Sequence, residues 1–123
     1  MDRVFFVAGA LSGLIAVAAG AFAAHGLRHQ LAPEQLGVFE TAARYQMYHA
    51  LALLGVGGVA GRLPGGTVAV AGWLFVAGTL LFSGSLYALS LTGHRWLGAI
   101  TPLGGLAFLA GWAALAWAAW SRL

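Results

Sequence analysis

Four histidines and three tyrosines are side chains in this sequence that could move a proton, hold a metal or direct a hydrogen bond. In "ARYQMYHALALL", Tyr45 and His49 stand four residues apart, the spacing that places two side chains on one helix face. Gln46 borders that face and Arg44 precedes it. A second series, Thr79, Ser83, Tyr87, Ser90 and His94, advances in steps of three or four and so forms one polar stripe along a helix. Two uses are open for the stripe. Hydroxyls turned toward another helix act as interhelical hydrogen bonds, worth about 0.6 kcal/mol each on average. Turned toward a lumen, they line a path for a polar solute or ion.

A metal or bis-histidine haem needs converging imidazoles. His25 and His49, on helices adjacent in sequence, are the better pair. His25 and His29 have helical spacing, but Gly26 lies between them. No motif supports either ligand set, and no cofactor is expected.

Several chemistries are excluded. The absence of cysteine removes disulfides, thiolate catalysis and cysteine-bound metals. The acidic residues are Asp2, Glu34 and Glu40, none inside a long apolar run, so paired-carboxylate catalysis has no candidates. Ser83 lacks a nucleophile-elbow pattern, and the glycines are not arranged as a phosphate loop. The chain is therefore not expected to be an enzyme. Six arginines and no lysine are scattered without a basic patch, which removes nucleic acid as a partner.

The elements that must position these residues are membrane helices. Hydrophobic residues make up 61% of the 123 and charged residues 7%, against roughly 25% charged in soluble domains. Such a chain cannot cover a surface facing water, so lipid is its main partner. A helix crosses a bilayer with about 20 apolar residues. Charge-free runs predict spans over about 4–25, 44–61, 68–92 and 97–120, with "RLPGGT" and "LTGHRW" as turns. The expected fold is all-α: one transmembrane domain over 1–123, an integral membrane four-helix bundle. A short interfacial helix from about Pro33, with Leu36, Phe39, Ala43 and Met47 at helical spacing, should run into the second span.

"AFA" at 21–23 resembles a signal-peptide cleavage site, but the first run is longer than the 7–15 residues of a signal-peptide core. Gly9, Gly13, Ala16, Gly20 and Ala24 also form a small-residue ridge suited to packing on a neighbouring helix. Retention of this segment as the first span is expected. Threading four spans places the four histidines and three tyrosines toward one membrane face. Trp73, Trp117 and Trp120 fall near the opposite face, as an aromatic belt would place them. The arginines divide equally between the faces, and the termini are assigned to the cytoplasmic side. Pro102 is expected to kink the fourth span. The glycine ridges also suit a homo-oligomer.

The motifs "GAFAAHG" and "YQMYHALA", with "FSGSLYALSLTGHRWLGAITPLGGLAFLAGW" farther on, resemble the small bacterial membrane proteins grouped as domain of unknown function 423, related to eukaryotic transmembrane protein 256. The resemblance covers nearly the whole chain. It implies a retained four-helix protein of the bacterial inner membrane and places His25, Tyr45, Gln46 and His49 in the family signature. It supplies no function. Three readings stay open: an accessory or scaffold protein acting through lipid or protein contacts, then an oligomeric channel or small-solute transporter, then a haem or metal site on His25 and His49. The small-molecule or ion ligand of the second is unspecified.

Overall fold

The computed structural model describes residues 2–63 and 65–122. Those residues are helical throughout, with short connections and no strand. Helix α1 spans Asp2–His25 and is followed by a 3-10 turn, Leu27–His29. Helix α2 spans Pro33–Val59. Helix α3, Thr67–Gly78, passes through a π-helical turn at Thr79–Ser83 into α4, Gly84–Thr92. A 3-10 turn, Arg95–Ala99, leads into α5, Thr101–Trp120.

Among the described residues, three stretches are long and apolar enough to cross a membrane: Arg3–His25, Thr67–Thr92 and Arg95–Trp120. Helix α2 is longer than any single helix among them, yet it is not in that set. Glu34, Glu40, Arg44, Tyr45, Gln46, Tyr48 and His49 all lie in its first two-thirds and dilute its apolar character. Pro33 stands in its first turn, where the missing N–H has no intrahelical partner to lose, and the helix continues unbroken to Val59.

The chain folds back on itself at each turn. Along α1 and α2, Ser12 meets Gln46 and Ala23 packs with Phe39, so the two run antiparallel. Gly9 lets α1 approach the α2 backbone closely: a Cβ there would stand 2.7 Å from the Ala50 carbonyl oxygen. The expected small-residue ridge holds at Gly9, Gly13 and Ala16 and then departs from the sequence pattern. Gly20 faces open space and Ala24 is exposed, while Ala23 and Leu27 are buried. Alternating steps of three and four keep a contact line on one face. Two successive steps of four, from Ala16 to Ala24, rotate off it.

The α3–α4 rod runs antiparallel to α5 and packs on it through glycine. Gly111 lies under the Phe75 ring, Gly78 under Phe108, and Gly104 against the backbone of Phe82. Phe5, Leu53, Val56, Ala71 and Phe75, each nearly or fully buried, form the main core. A smaller cluster of Ala23, Leu27 and Phe39 closes the end near the α1–α2 turn. Gly93 adopts φ 76°, and its N–H caps the Leu89 carbonyl at 2.8 Å, which ends α4. Pro102 does not kink a helix. It sits in the first turn of α5, where a proline costs no hydrogen bond.

A candidate aromatic groove beside a buried histidine

The side chain that organises the interior is His49. It is 4% exposed and touches α2, α3 and α5. Its ring stacks on Phe108 with centroids 3.5 Å apart and planes within 5°. Nδ1 lies 2.7 Å from the Tyr45 carbonyl oxygen, and the Trp112 indole N–H donates to Nε2 over 3.1 Å. A carbonyl only accepts and an indole only donates, so the imidazole is neutral with its proton on Nδ1. The Nε2 lone pair, the one a metal would need, is already taken by Trp112.

Gln46, one turn before Ala50 on α2, joins three helices. Its Oε1 accepts the Tyr87 hydroxyl at 2.6 Å and its Nε2 donates to Ser12 Oγ at 3.2 Å. Phe39 packs edge-on against Tyr87, with ring centroids 4.9 Å apart. The Ser83 hydroxyl donates to the Ala42 carbonyl across the α2 contact at 2.8 Å. Thr79 donates to Phe75 O and Ser90 to Tyr87 O, both within their own rod. Ser85 and Thr101 share a 2.6 Å bond between α4 and α5. Among the described residues, no buried side-chain nitrogen or oxygen lacks a partner.

The remaining sequence candidates lie apart from this network. Arg44 is exposed and borders a shallow hollow with Glu40, Ala43, Ala16 and Gly20. His25 is exposed at the end of α1, as are His29 and His94 in their turns. His25 stands between Ala23 and Leu27, which pack on Phe39, and Phe39 precedes His49 by ten residues of continuous helix, roughly 15 Å. Two imidazoles on one metal lie within about 4 Å of each other. The structure therefore brings Tyr45, Gln46, His49, Ser83 and Tyr87 together but leaves His25 outside.

The depth of the cluster also differs from the expected position near one face. Gln46 is level with Ser12, and Ser12 is close to the middle of the Arg3–His25 stretch. Tyr45, Gln46 and His49 thus stand about halfway along α1.

Beside His49 lies a groove of about 760 Å³ between α2, the π turn and α5. Tyr45, Tyr48, His49 and Phe82 form one wall, and Pro102, Gly105, Leu106, Phe108, Leu109 and Trp112 the other. Its walls contain no arginine, lysine or carboxylate. Tyr45 packs against Tyr48 and Phe82, with centroids 5.4 and 4.8 Å away. Sequence reasoning passed over Phe82, Phe108 and Trp112 as site residues. A signal was present, since Phe108 and Trp112 are four apart on one helix face.

A family described as a protein of unknown function (DUF423) matches residues 19–105. The chain is similar to the UPF0382 membrane protein YwdK of Bacillus subtilis (strain 168). The two are 52% identical over 111 residues, covering 89% of this chain and 90% of that one. It is likewise similar to a UPF0382 membrane protein of Staphylococcus saprophyticus, 49% identical over 110 residues, covering 89% and 91%. A third relative, from Staphylococcus aureus (strain bovine RF122 / ET3-1), is 49% identical over 110 residues and covers 89% of both. No solved structure matches.

Proposed function

This chain belongs to the DUF423 family of proteins of unknown function, and we propose that it is a four-span accessory protein of the bacterial inner membrane. In this reading it works by apolar contact with a lipid or protein partner, with both termini on the cytoplasmic side. The fourth span is α2. Its first turns, with Glu34 exposed, reach the interface, and its deeper polar residues are carried by hydrogen bonds to α1, α4 and α5.

One observation supports contact over conduction. The hydroxyls of Thr79, Ser83, Tyr87 and Ser90 are all bonded within the chain, those of Ser83 and Tyr87 across to α2 and those of Thr79 and Ser90 to carbonyls of their own rod. A conducting path would need polar groups facing a lumen. The groove between α2 and α5 presents an almost wholly apolar aromatic wall instead.

The test is flux in proteoliposomes, alongside native mass spectrometry of protein extracted in the mildest detergent. Ion and small-solute flux should equal that of protein-free vesicles, and the extracted protein should carry a lipid or protein mass. A saturable flux abolished by Ser83→Leu would refute the reading.

A further inference from the structure

We propose that the groove between α2 and α5 binds a neutral, ring-headed lipid with a carbonyl oxygen on its ring, the chemistry of the isoprenoid quinones. This rests on the reading of the chain as a membrane protein that acts by contact, and it names the partner.

Three observations select that chemistry. First, the walls carry no charge, which disfavours an anionic or cationic headgroup. Second, the hydrogen bonds among the described residues include the Tyr45 backbone carbonyl but neither the Tyr45 nor the Tyr48 hydroxyl. Tyr45 and Tyr48 line the groove and are exposed, so two phenol hydroxyls are free to donate to a partner at this otherwise apolar surface. Third, those residues stand level with the middle of α1. The hydrocarbon boundary lies roughly 15 Å from mid-depth on either side, beyond the reach of a tyrosine side chain.

Water and phospholipid headgroups do not reside at that depth, and a polar group left unmatched there is costly. The acceptor must arrive on a molecule that carries oxygen into the hydrocarbon layer. A flat ring also suits walls built from Tyr45, Phe82 and Trp112, because aromatic faces pack on one another in offset or edge-on contacts. The volume of about 760 Å³ lies in the range of sites for drug-sized ligands, enough for a ring and the first units of a chain.

The experiment reconstitutes the full chain in phospholipid nanodiscs and titrates it with menaquinone-4 while following tryptophan fluorescence. Saturable quenching is expected, with the saturable part absent in Trp112→Phe. The Tyr45→Phe, Tyr48→Phe double variant should bind about tenfold more weakly, since it loses two hydrogen bonds and little volume. Native mass spectrometry of the wild type with the same quinone should show a one-to-one adduct.

Linear quenching, equal in all variants, would show partition into the bilayer alone and overturn the proposal. So would a groove occupied only by phospholipid or by a second copy of the chain. Those last outcomes would leave the accessory reading standing, whereas specific ion flux would remove the reading itself.

Discussion

Gly104→Ala should separate α5 from the π turn and, through that movement, break the contact between Trp112 and His49. The Cβ would stand 2.7 Å from Phe82 Cβ and 2.8 Å from its Cα, besides meeting its backbone nitrogen. Backbone cannot rotate away as a flexible side chain would, so the helices themselves must part. Clearing Phe82 Cβ to ordinary contact at 3.4 Å takes about 0.7 Å, and clearing its nearer backbone nitrogen takes more. The Trp112–His49 hydrogen bond, 3.1 Å in the native packing, would then stretch to about 3.8 Å or more and be lost. The neighbouring glycine supplies the control, because a Cβ at Gly105 meets Phe82 Cδ2 at an unstrained 3.9 Å. Both substitutions gain the same helix propensity, about 1 kcal/mol. The difference between them isolates the steric term, expected at about 1–3 kcal/mol. Unfolding of the two variants by SDS in mixed micelles measures that difference. The indole N–H resonance of Trp112 reports whether its hydrogen bond survives. Equal stability of the two variants, with an unmoved indole resonance, would refute the close packing on which the site's geometry depends.

Gln46→Leu should destabilise the protein by about 1–2 kcal/mol, because it strands the Tyr87 hydroxyl between helices. Adding Tyr87→Phe should recover part of that loss, and SDS unfolding of the single and double variants checks it; a double variant weaker than Gln46→Leu would contradict the assigned bond. His49→Ala should cost about 2–4 kcal/mol, since it opens space beside Phe108 and frees the Trp112 N–H. His25→Ala, at an exposed helix end, should fall within about 0.5 kcal/mol of wild type in the same measurement.

Helix existence was legible because charge-free runs in this chain are long, and the turns carry glycine and proline. Depth was not. By sequence Arg44 marks the start of the second span, because an arginine ordinarily stands at the edge of the hydrocarbon. In the fold it lies exposed beside Glu40, over the small residues Ala16 and Gly20 of α1, and the helix begins at Pro33. Starting the count at Arg44 moved Tyr45 and His49 toward one face. Pairing with α1 returns them to mid-height. Hydropathy along one helix carries no information about a partner's register, which packing alone supplies.

The same distinction separates what the polar stripe suggested from what it does. Its spacing predicts one shared face, of which Ser83 and Tyr87 bond to α2 while Thr79 and Ser90 bond within the rod, and those partners were invisible in the sequence. Three of those partners are backbone carbonyls, which every sequence supplies. The π turn at Thr79–Ser83 left no periodic trace either. It lies where Phe82 faces the groove, against Tyr45 of α2 and Phe108 of α5, and the adjacent Ser83 turns to the Ala42 carbonyl. A widened turn is one way to aim neighbouring side chains at two partners without breaking the rod. The polar residues of α2 and α4 thus hold the bundle, and the aromatic residues of α2, the π turn and α5 are left to face a ligand. A search guided by titratable residues alone reaches His49 but stops at the back wall of the groove.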